Sequence, residues 1–153
     1  MKLSLRGEYA LRALICLTDN FHETITPIGD ISDSQNIPKK FLEQILNDLK
    51  SGGFVESRRG PAGGYRLARL PESISLSEVI RHMEGALAPV SCVSQNFYEK
   101  CSCPDESRCA LRSVMGEIRE AIVQIADRVT LAALGERANR LSAERNEILD
   151  YSI

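Results

Sequence analysis

The sequence predicts a mainly α-helical protein with one small β-hairpin. In most segments the apolar residues recur at spacings of three and four, which places them on one face of a helix. A glycine-rich stretch, residues 59–64, interrupts this pattern between two short segments that we predict to be strands. From residue 110 the helical pattern runs on for about 25 residues, longer than a chain of this size can easily pack against itself.

The composition is that of an ordinary globular protein. Of the 153 residues, 43% are hydrophobic and 5% aromatic, and the net charge is −2. No apolar run approaches the roughly 18 residues of a membrane span, and the charged start of the chain does not resemble a signal peptide. We therefore expect a cytoplasmic protein with no membrane partner, in a compartment where clustered cysteines bind metals or sense redox state more often than they form structural disulfides.

The first part of the chain predicts three helices, over residues 4–20, 27–35 and 38–51. Thr26 is expected to cap the second helix, with Pro27 at its first position. Gly52 and Gly53 end the third helix. The buried stripe expected for the third helix comprises Phe41, Leu42, Ile45, Leu46 and Leu49.

A hairpin follows the third helix. Its strands are predicted over residues 54–58 and 64–69, joined by a tight turn over residues 59–63 that contains two glycines and a proline. Three helices followed by a hairpin form a winged helix-turn-helix, which we assign to residues 1–70. Between Ile37 and Arg69 there are seven basic and three acidic residues, a net charge of +4, which leaves −6 for the rest of the chain. This asymmetry indicates a DNA-binding face on an acidic protein.

Residues 71–109 are predicted to form a connecting helix and a cysteine-rich sensor loop. Ser75 caps the helix, predicted over residues 75–85, with Glu78 as its capping-box partner. Four of the five cysteines then fall within residues 92–109: Cys92, Cys101, Cys103 and Cys109. Thiolates are soft ligands suited to zinc, copper(I) or iron–sulfur clusters, and a short polar loop gains most from a metal or disulfide that closes it. The fifth, Cys16, lies in an apolar helical pattern and is expected to be a small buried residue.

A long helix is predicted from residue 110 to residue 134, with an apolar stripe along one face. Pairing with the same helix of a second copy is the simplest way to bury that stripe, so we assign residues 110–134 as a dimerisation helix. Folding of this helix back onto its own head is the alternative. Residues 135–153 are charged and weakly periodic, and are predicted to be a frayed helix or a mobile tail.

Residues 1–134 resemble the family of iron–sulfur winged-helix transcriptional regulators that includes IscR, NsrR and RirA. Three stretches carry the resemblance: the opening Leu-Ser-Leu-Arg-Gly-Glu-Tyr-Ala-Leu-Arg-Ala-Leu of residues 3–14, Phe-Leu-Glu-Gln-Ile-Leu of residues 41–46, and Arg-Arg-Gly-Pro-Ala-Gly-Gly-Tyr-Arg-Leu of residues 58–67. The resemblance implies a homodimeric transcription factor, not an enzyme, and no catalytic constellation or phosphate-binding glycine loop is evident in the sequence. Such a dimer would bind double-stranded DNA at a pseudo-palindromic operator.

On such a fold the third helix is expected to enter the major groove. Lys39 and Lys40 would then neutralise phosphates, and Glu43 and Gln44 would hydrogen-bond base edges. In the wing, Arg59 is expected to reach the minor groove. The other wing residues expected at the DNA are Arg58, Gly60 and Tyr65.

The resemblance also implies the ligands of an iron–sulfur cluster, [2Fe-2S] or [4Fe-4S]. Cluster-bearing members have three cysteines before the dimerisation helix, the last two separated by five residues, a spacing that Cys103 and Cys109 reproduce, with Cys92 placed like the first. Cys101 is an additional cysteine, so either Cys101 or Cys103 is the middle ligand. The fourth ligand varies among members: Arg112 replaces a histidine found in some, and Glu8 of the partner subunit matches a carboxylate used in others.

Alternatives remain for the cysteine loop and for its signal. The four cysteines could hold a structural zinc ion or act as a thiol switch in a winged-helix regulator. As a cluster sensor the protein would respond to redox state, nitric oxide or iron and cluster supply, acting as a repressor or as an activator.

Overall fold

In the computed structural model, which describes residues 3–19, 21 and 25–150, with side chains up to residue 146, the chain is mainly helical with one two-stranded antiparallel hairpin, as predicted. The elements in chain order are α1 (Leu5–Thr18), α2 (Ile28–Gln35), α3 (Lys39–Ser51), β1 (Val55–Arg58), β2 (Gly64–Leu67), α4 (Leu76–Glu84), α5 (Ala110–Arg128) and α6 (Leu131–Asp150). The chain divides into two compact units. One comprises Met1–Glu8 and Ser75–Val129, and the other comprises Tyr9–Ile74 and Thr130–Ile153.

The second of these units contains the winged helix-turn-helix. Its core is formed by one face of α1, the inner stripe of α3 and Val55 at the start of β1. Four side chains of α3 are completely buried: Leu42, Ile45, Leu46 and Leu49. Truncation of a fully buried leucine to alanine typically costs about 2–5 kcal/mol, so this stripe fixes the rotation of α3 about its axis. Phe41 was predicted in the same stripe but is 36% exposed, with its ring edge on Tyr9 at a centroid distance of 5.8 Å.

The turn between α2 and α3 is set by three residues: Asn36, Ser32 and Pro38. Asn36 caps α2 in the left-handed conformation at φ 50°, which asparagine tolerates better than most residues. Ser32 Oγ then donates to the carbonyl of Ile37 at 2.6 Å, and Pro38 precedes the first residue of α3. The break between the helices predicted over residues 27–35 and 38–51 is confirmed.

The start of α2 differs from the prediction. Thr26 was expected to cap this helix, but Pro27 occupies the cap position and no side chain caps it. Thr26 instead pairs with the wing: its N–H donates to Tyr65 O and its carbonyl accepts from Tyr65 N–H, both at 2.9 Å. The backbone of Thr26 is therefore paired with the hairpin, and the helix begins one residue later than a Thr26 cap would place it.

The wing depends on two glycines in different ways. Gly60 begins the turn with φ 108°, a conformation that residues with a side chain rarely adopt. Gly64 allows the close approach to Thr26, because a Cβ on residue 64 would lie 2.2 Å from the Thr26 carbonyl oxygen. The two strands pair in one antiparallel register, which places Val55 opposite Leu67 and Arg58 opposite Gly64.

In the other unit, α4 begins as predicted. Ser75 Oγ accepts from the N–H of Glu78 at 3.2 Å, and the carboxylate of Glu78 lies in the first turn.

The prediction of a single helix over residues 110–134 is wrong. α5 ends at Arg128, where Val129 turns extended and its carbonyl accepts from Leu76 N–H at 2.7 Å.

A new helix then starts at Leu131. Thr130 Oγ1 accepts from the N–H of Ala133 at 3.2 Å, as an N-cap does, and Leu131 is completely buried. Residues 135–150, predicted as a frayed helix or mobile tail, continue α6, and residues 151–153 of that tail lie outside the described residues.

The wing geometry yields a stability prediction. Gly64→Ala should lower the free energy of unfolding by about 1–3 kcal/mol, because the new Cβ meets backbone that cannot move without breaking the bridge between Thr26 and Tyr65. Gly29→Ala is the matched control. A Cβ at residue 29 meets nothing within 4 Å inside helix α2, so this change should be neutral or slightly stabilising. Urea unfolding followed by circular dichroism measures both, and equal effects of the two substitutions would contradict the close-approach argument.

Candidate functional site: a nucleic-acid interface and a cysteine loop

One face of α3 is buried in the core, and the opposite face is polar and exposed. All four residues predicted to contact DNA from this helix are exposed: Lys39, Lys40, Glu43 and Gln44. Asn47 and Lys50 continue the same face towards the end of the helix. The interactions that hold α3 in place are therefore separate from the groups that it presents to a ligand.

The wing presents a second set of exposed groups. Arg58, Arg59 and Gly60 are exposed, and Tyr65 is half-buried through its pairing with Thr26. The one acidic residue of β1, Glu56, pairs across the hairpin with Arg66. Its charge is therefore partly compensated within the wing.

An open cleft of about 600 Å³ lies between α3, the start of α2 and the wing. It brings together five of the predicted DNA-contacting residues: Lys39, Arg58, Arg59, Gly60 and Tyr65. Lys40, Glu43 and Gln44 lie on α3 outside the lining of this cleft. Three of the lining residues with polar side chains were not predicted as contacts, namely Asn47, Lys50 and Ser57. Only their positions on an exposed helix face and a strand could have indicated them.

An aromatic and cationic cluster on α1 supports the helices that form this interface. The guanidinium of Arg12 lies 5.3 Å from the ring centroid of Tyr9, and it also donates to the carbonyl of Gln35 at the end of α2. Tyr9 in turn contacts Phe41 in the first turn of α3. α1 thereby holds both helices of the helix-turn-helix through side-chain contacts, which a periodicity analysis cannot detect.

The cysteine loop of the other unit contains a connected set of thiols. Cys103 Sγ lies 3.6 Å from Cys109 Sγ, and Cys101 Sγ accepts from the N–H of Cys103 at 3.4 Å. Cys109 is the N-cap of α5, where its sulfur accepts from the N–H of Arg112 at 3.4 Å. Cys92 is buried and close enough to Cys101 for the two thiols to interact.

Glu106 closes the loop. Its carboxylate accepts from the hydroxyl of Tyr98 at 2.8 Å and from the N–H of Cys101 at 3.2 Å. These hydrogen bonds lower the pKa of Glu106, so the carboxylate stays ionised at neutral pH. Arg112 Nε donates to the carbonyl of Cys92 at 3.2 Å, which ties the start of the loop to α5. In the sequence, Arg112 was identified only as the residue that replaces a histidine found in some members of the family.

The thiols differ in their tendency to ionise. The backbone N–H of Arg112 at the start of α5 lowers the pKa of Cys109. Hydrogen bonds with the side chains of Cys101 and Cys109 raise the pKa of Cys103 to about 12. Burial raises the pKa of Cys92. Of Cys92, Cys103 and Cys109, Cys109 is therefore the thiol best stabilised as a thiolate.

The four cysteine sulfurs are the type of ligand that zinc or an iron–sulfur cluster requires. Four thiols lie in one loop and contact one another in sequence, the ligand type expected for zinc or an iron–sulfur cluster. Within the described part of the chain, no three Cys, His, Asp or Glu side chains already surround one point. The thiols are gathered but would still have to converge on a bound group.

Glu8, the predicted ligand from a partner subunit, is exposed on α1. The start of this helix is held by a contact that the sequence did not reveal. Glu84 Oε1 accepts from the N–H of Ser4 at 3.1 Å and from its hydroxyl at 2.6 Å, while Ser4 Oγ accepts from the N–H of Gly7 at 3.1 Å. Ser4 thus links the end of α4 to the first turn of α1.

Cys16 was predicted to be buried. It is half-buried, and its sulfur lies 3.6 Å from Ser34 Oγ.

The helix-turn-helix, its exposed polar face and its basic wing define a winged-helix DNA-binding protein. Residues 3–137 match the Rrf2 family, described as an iron-dependent transcriptional regulator. An HTH-type transcriptional regulator of Rhodobacter capsulatus, described as rrf2-like, is 39% identical over 134 residues, covering 84% of this chain and 89% of that protein. The chain belongs to the Rrf2 family of transcriptional regulators.

Two further relatives support this assignment. NsrR of Bacillus licheniformis is 37% identical over 131 residues, covering 86% of this chain and 90% of that protein. The structure of CymR, the global cysteine regulator of Bacillus subtilis, superposes with a TM-score of 0.76 at 30% identity, covering 90% of this chain and 98% of CymR. The resemblance stated from the sequence is therefore confirmed at the level of the family, and the protein is a DNA-binding transcriptional regulator. Among the described residues, no helix is both long and apolar enough to span a membrane.

Proposed function

We propose that this regulator is a cytoplasmic homodimer that senses redox state, nitric oxide or iron and cluster supply through an iron–sulfur cluster held by the loop of residues 92–109. The observation that carries the proposal is the gathering of four thiols in one polar loop, two of them 3.6 Å apart at the start of α5. The description of the Rrf2 family as iron-dependent supports it. Bound there, the cluster would supply a redox-active and ligand-sensitive iron centre.

Three cysteines are the proposed ligands. Cys109 is favoured because the first turn of α5 stabilises its thiolate, and metal ligation requires the thiolate form. Cys92 is held at the start of the loop by Arg112, and either Cys101 or Cys103 completes the set. Glu8 of a second copy is the proposed fourth ligand, supported by its exposure on α1.

The other residues of the loop would hold these ligands in place. Glu106 joins Tyr98 to Cys101 across the loop, and Asp105 caps the following turn by accepting from Ser107 N–H at 2.9 Å. Such contacts order a segment that has little apolar surface to bury. They would reduce the conformational entropy lost when the thiols converge.

The proposed DNA contacts follow the two surfaces of the head. Lys39 and Lys40 would contact phosphates, and Glu43 and Gln44 would hydrogen-bond base edges in the major groove. The wing would add Arg58, Arg59, Gly60 and Tyr65, with Arg59 in the minor groove. A dimer would place two heads on a pseudo-palindromic operator.

An apolar stripe on α5 supports the homodimer. Leu111, Val114, Ile118 and Ile125 are separated by three, four and seven residues, which places them on one helix face, and all four are 40–65% exposed. An isolated helix face of this kind is normally covered by a partner. α5 begins directly at Cys109, so the proposed sensor lies at one end of the proposed dimer contact.

A structural zinc ion or a thiol switch in the same loop is the second candidate. It is favoured by the separation of 3.6 Å between the sulfurs of Cys103 and Cys109, which brings two thiols within reach of a shared ion or of a disulfide. Both candidates leave the DNA-binding head unchanged. They differ in what the loop binds.

The cluster proposal predicts the metal content of the protein. Purified without oxygen, the protein should be brown, with matched amounts of iron and sulfide. Cys92→Ala and Cys109→Ala should lose most of both, because each removes a thiolate ligand. Cys16→Ala is the matched control and should retain them, since Cys16 lies outside the loop. Absorption spectra with counts of iron, sulfide and zinc per chain make the measurement, and separate Cys101→Ala and Cys103→Ala variants assign the middle ligand.

The possible outcomes separate the two candidates. Zinc without sulfide would replace the cluster with a structural Cys₄ site. A colourless protein that holds no metal under anaerobic conditions would leave a thiol switch.

The stripe on α5 predicts a dimer. Ile118→Glu should shift the protein from dimer to monomer, because it places a charge within an apolar contact, and the shift should be visible by light scattering during gel filtration. Gln124→Glu, an exposed change on the same helix outside the stripe, should leave the dimer intact. A monomeric wild-type protein would refute this assignment of α5.

A further inference from the structure

The cleft between α3 and the wing has an uncompensated positive charge. Its lining includes Lys39, Lys50, Arg58 and Arg59, and none of the described residues that line it is acidic. Glu56, the acidic residue of the adjoining strand, is paired with Arg66 and does not line the cleft. A groove with one sign of charge attracts a polyanion and concentrates the field along its length.

Lys50 is held in this cleft by the wing. Its Nζ donates to the hydroxyl of Ser57 at 2.7 Å, a contact that joins the last turn of α3 to β1. No acidic partner of Lys50 occurs in the described ranges. A lysine ammonium has three donors, so two remain for a ligand after the bond to Ser57. The serine thus orients the ammonium without neutralising it.

The lining of the cleft also divides the exposed face of α3 into two strips. Lys39, Asn47 and Lys50 line the cleft on the side of the wing, whereas Lys40, Glu43 and Gln44 do not. Phosphate contacts fix the position of a protein on DNA, and contacts to base edges provide the sequence specificity. The charge of the first strip suits phosphates. The second strip contains Glu43 and Gln44, the side chains suited to base edges.

We propose that the cleft seats the sugar–phosphate backbone of one DNA strand, and that Lys50, oriented by Ser57, is a phosphate-binding residue. This proposal rests on the DNA-contacting surface described under the proposed function and adds a residue pair to it. The bond between Lys50 and Ser57 also joins the last turn of α3 to β1. In this arrangement one strand lies between the base-reading helix and the wing. Ser57 is a positioning residue in this arrangement.

The test compares four variants of the full-length protein on two DNA duplexes. One duplex is selected by the wild-type protein from a random library, and the other is a scrambled duplex of the same length and composition. Lys50→Met removes the charge, Ser57→Ala removes only the orienting hydroxyl, and Gln44→Ala removes a proposed base contact. Arg140→Met, which removes a positive charge from exposed α6, is the control. The dissociation constant is measured against salt concentration.

Lys50→Met should weaken binding to both duplexes by a similar factor, about 3–10-fold. It should also reduce the slope of log K against log salt by about one per protomer. Ser57→Ala should weaken binding to both duplexes by a smaller factor and keep the slope, since the charge remains. Arg140→Met should change neither quantity.

Two other results would overturn the assignment of Lys50: an unchanged salt slope in Lys50→Met, or a loss confined to the selected duplex, which would make Lys50 a base-reading residue. The Gln44→Ala variant separates this failure from failure of the proposed surface. If Gln44→Ala weakens only the selected duplex, the surface is correct even when Lys50→Met has no effect. If neither variant alters binding, the surface itself is wrong.

Discussion

The burial of one face of α3 is the constraint on which the DNA-binding half of the molecule depends. Leu42, Ile45, Leu46 and Leu49 are completely buried, so core contacts fix the rotation of this helix. The exposed face then consists of polar and cationic side chains whose direction is set before any DNA is present. Arg12 and Tyr9 of α1 add side-chain contacts to α2 and α3, and the backbone of Thr26 holds the wing beside them. A preformed surface of this kind loses little conformational entropy on binding.

The cysteine loop follows the opposite principle. It buries few apolar side chains, and its order comes from polar contacts of Glu106, Asp105 and Arg112 and from the capping of α5 by Cys109. A segment held by so few contacts changes conformation more readily than a packed core, which suits a switch. The chain passes between the two compact units at residues 8–9, 74–75 and 129–130. Glu8, the proposed fourth ligand, is the last residue of one unit at the first of these points and lies within α1.

Sequence patterns predicted the elements well where periodicity and turn chemistry decide the structure. The bounds of α2, α3, α4 and the hairpin agree with the structure within about two residues. The failures concern long-range contacts. Threonine is a residue type favoured at helix caps, but the backbone of Thr26 pairs with a wing residue 39 positions later. The break at Val129 and Thr130 is hidden by apolar spacing and appears because Leu76 and Ala133 bind those residues. Some hydrogen bonds leave no periodic signal in the sequence because they join different segments. They are the bonds of Lys50 with Ser57, of Ser4 with Glu84, and of Glu106 with Tyr98 and Cys101.

The proposed function implies that the state of the cysteine loop controls DNA binding by the head. The affinity of one anaerobic preparation for its selected DNA duplex, measured before and after a chelator removes the cluster, tests this coupling. We expect the dissociation constant to change by about 5-fold or more, the coupling expected of a ligand that distinguishes two conformations. Glu8→Ala should reduce this change without abolishing DNA binding. Equal affinities of the cluster-bound and metal-free protein would rule out the coupling and leave a DNA-binding regulator whose loop serves another purpose.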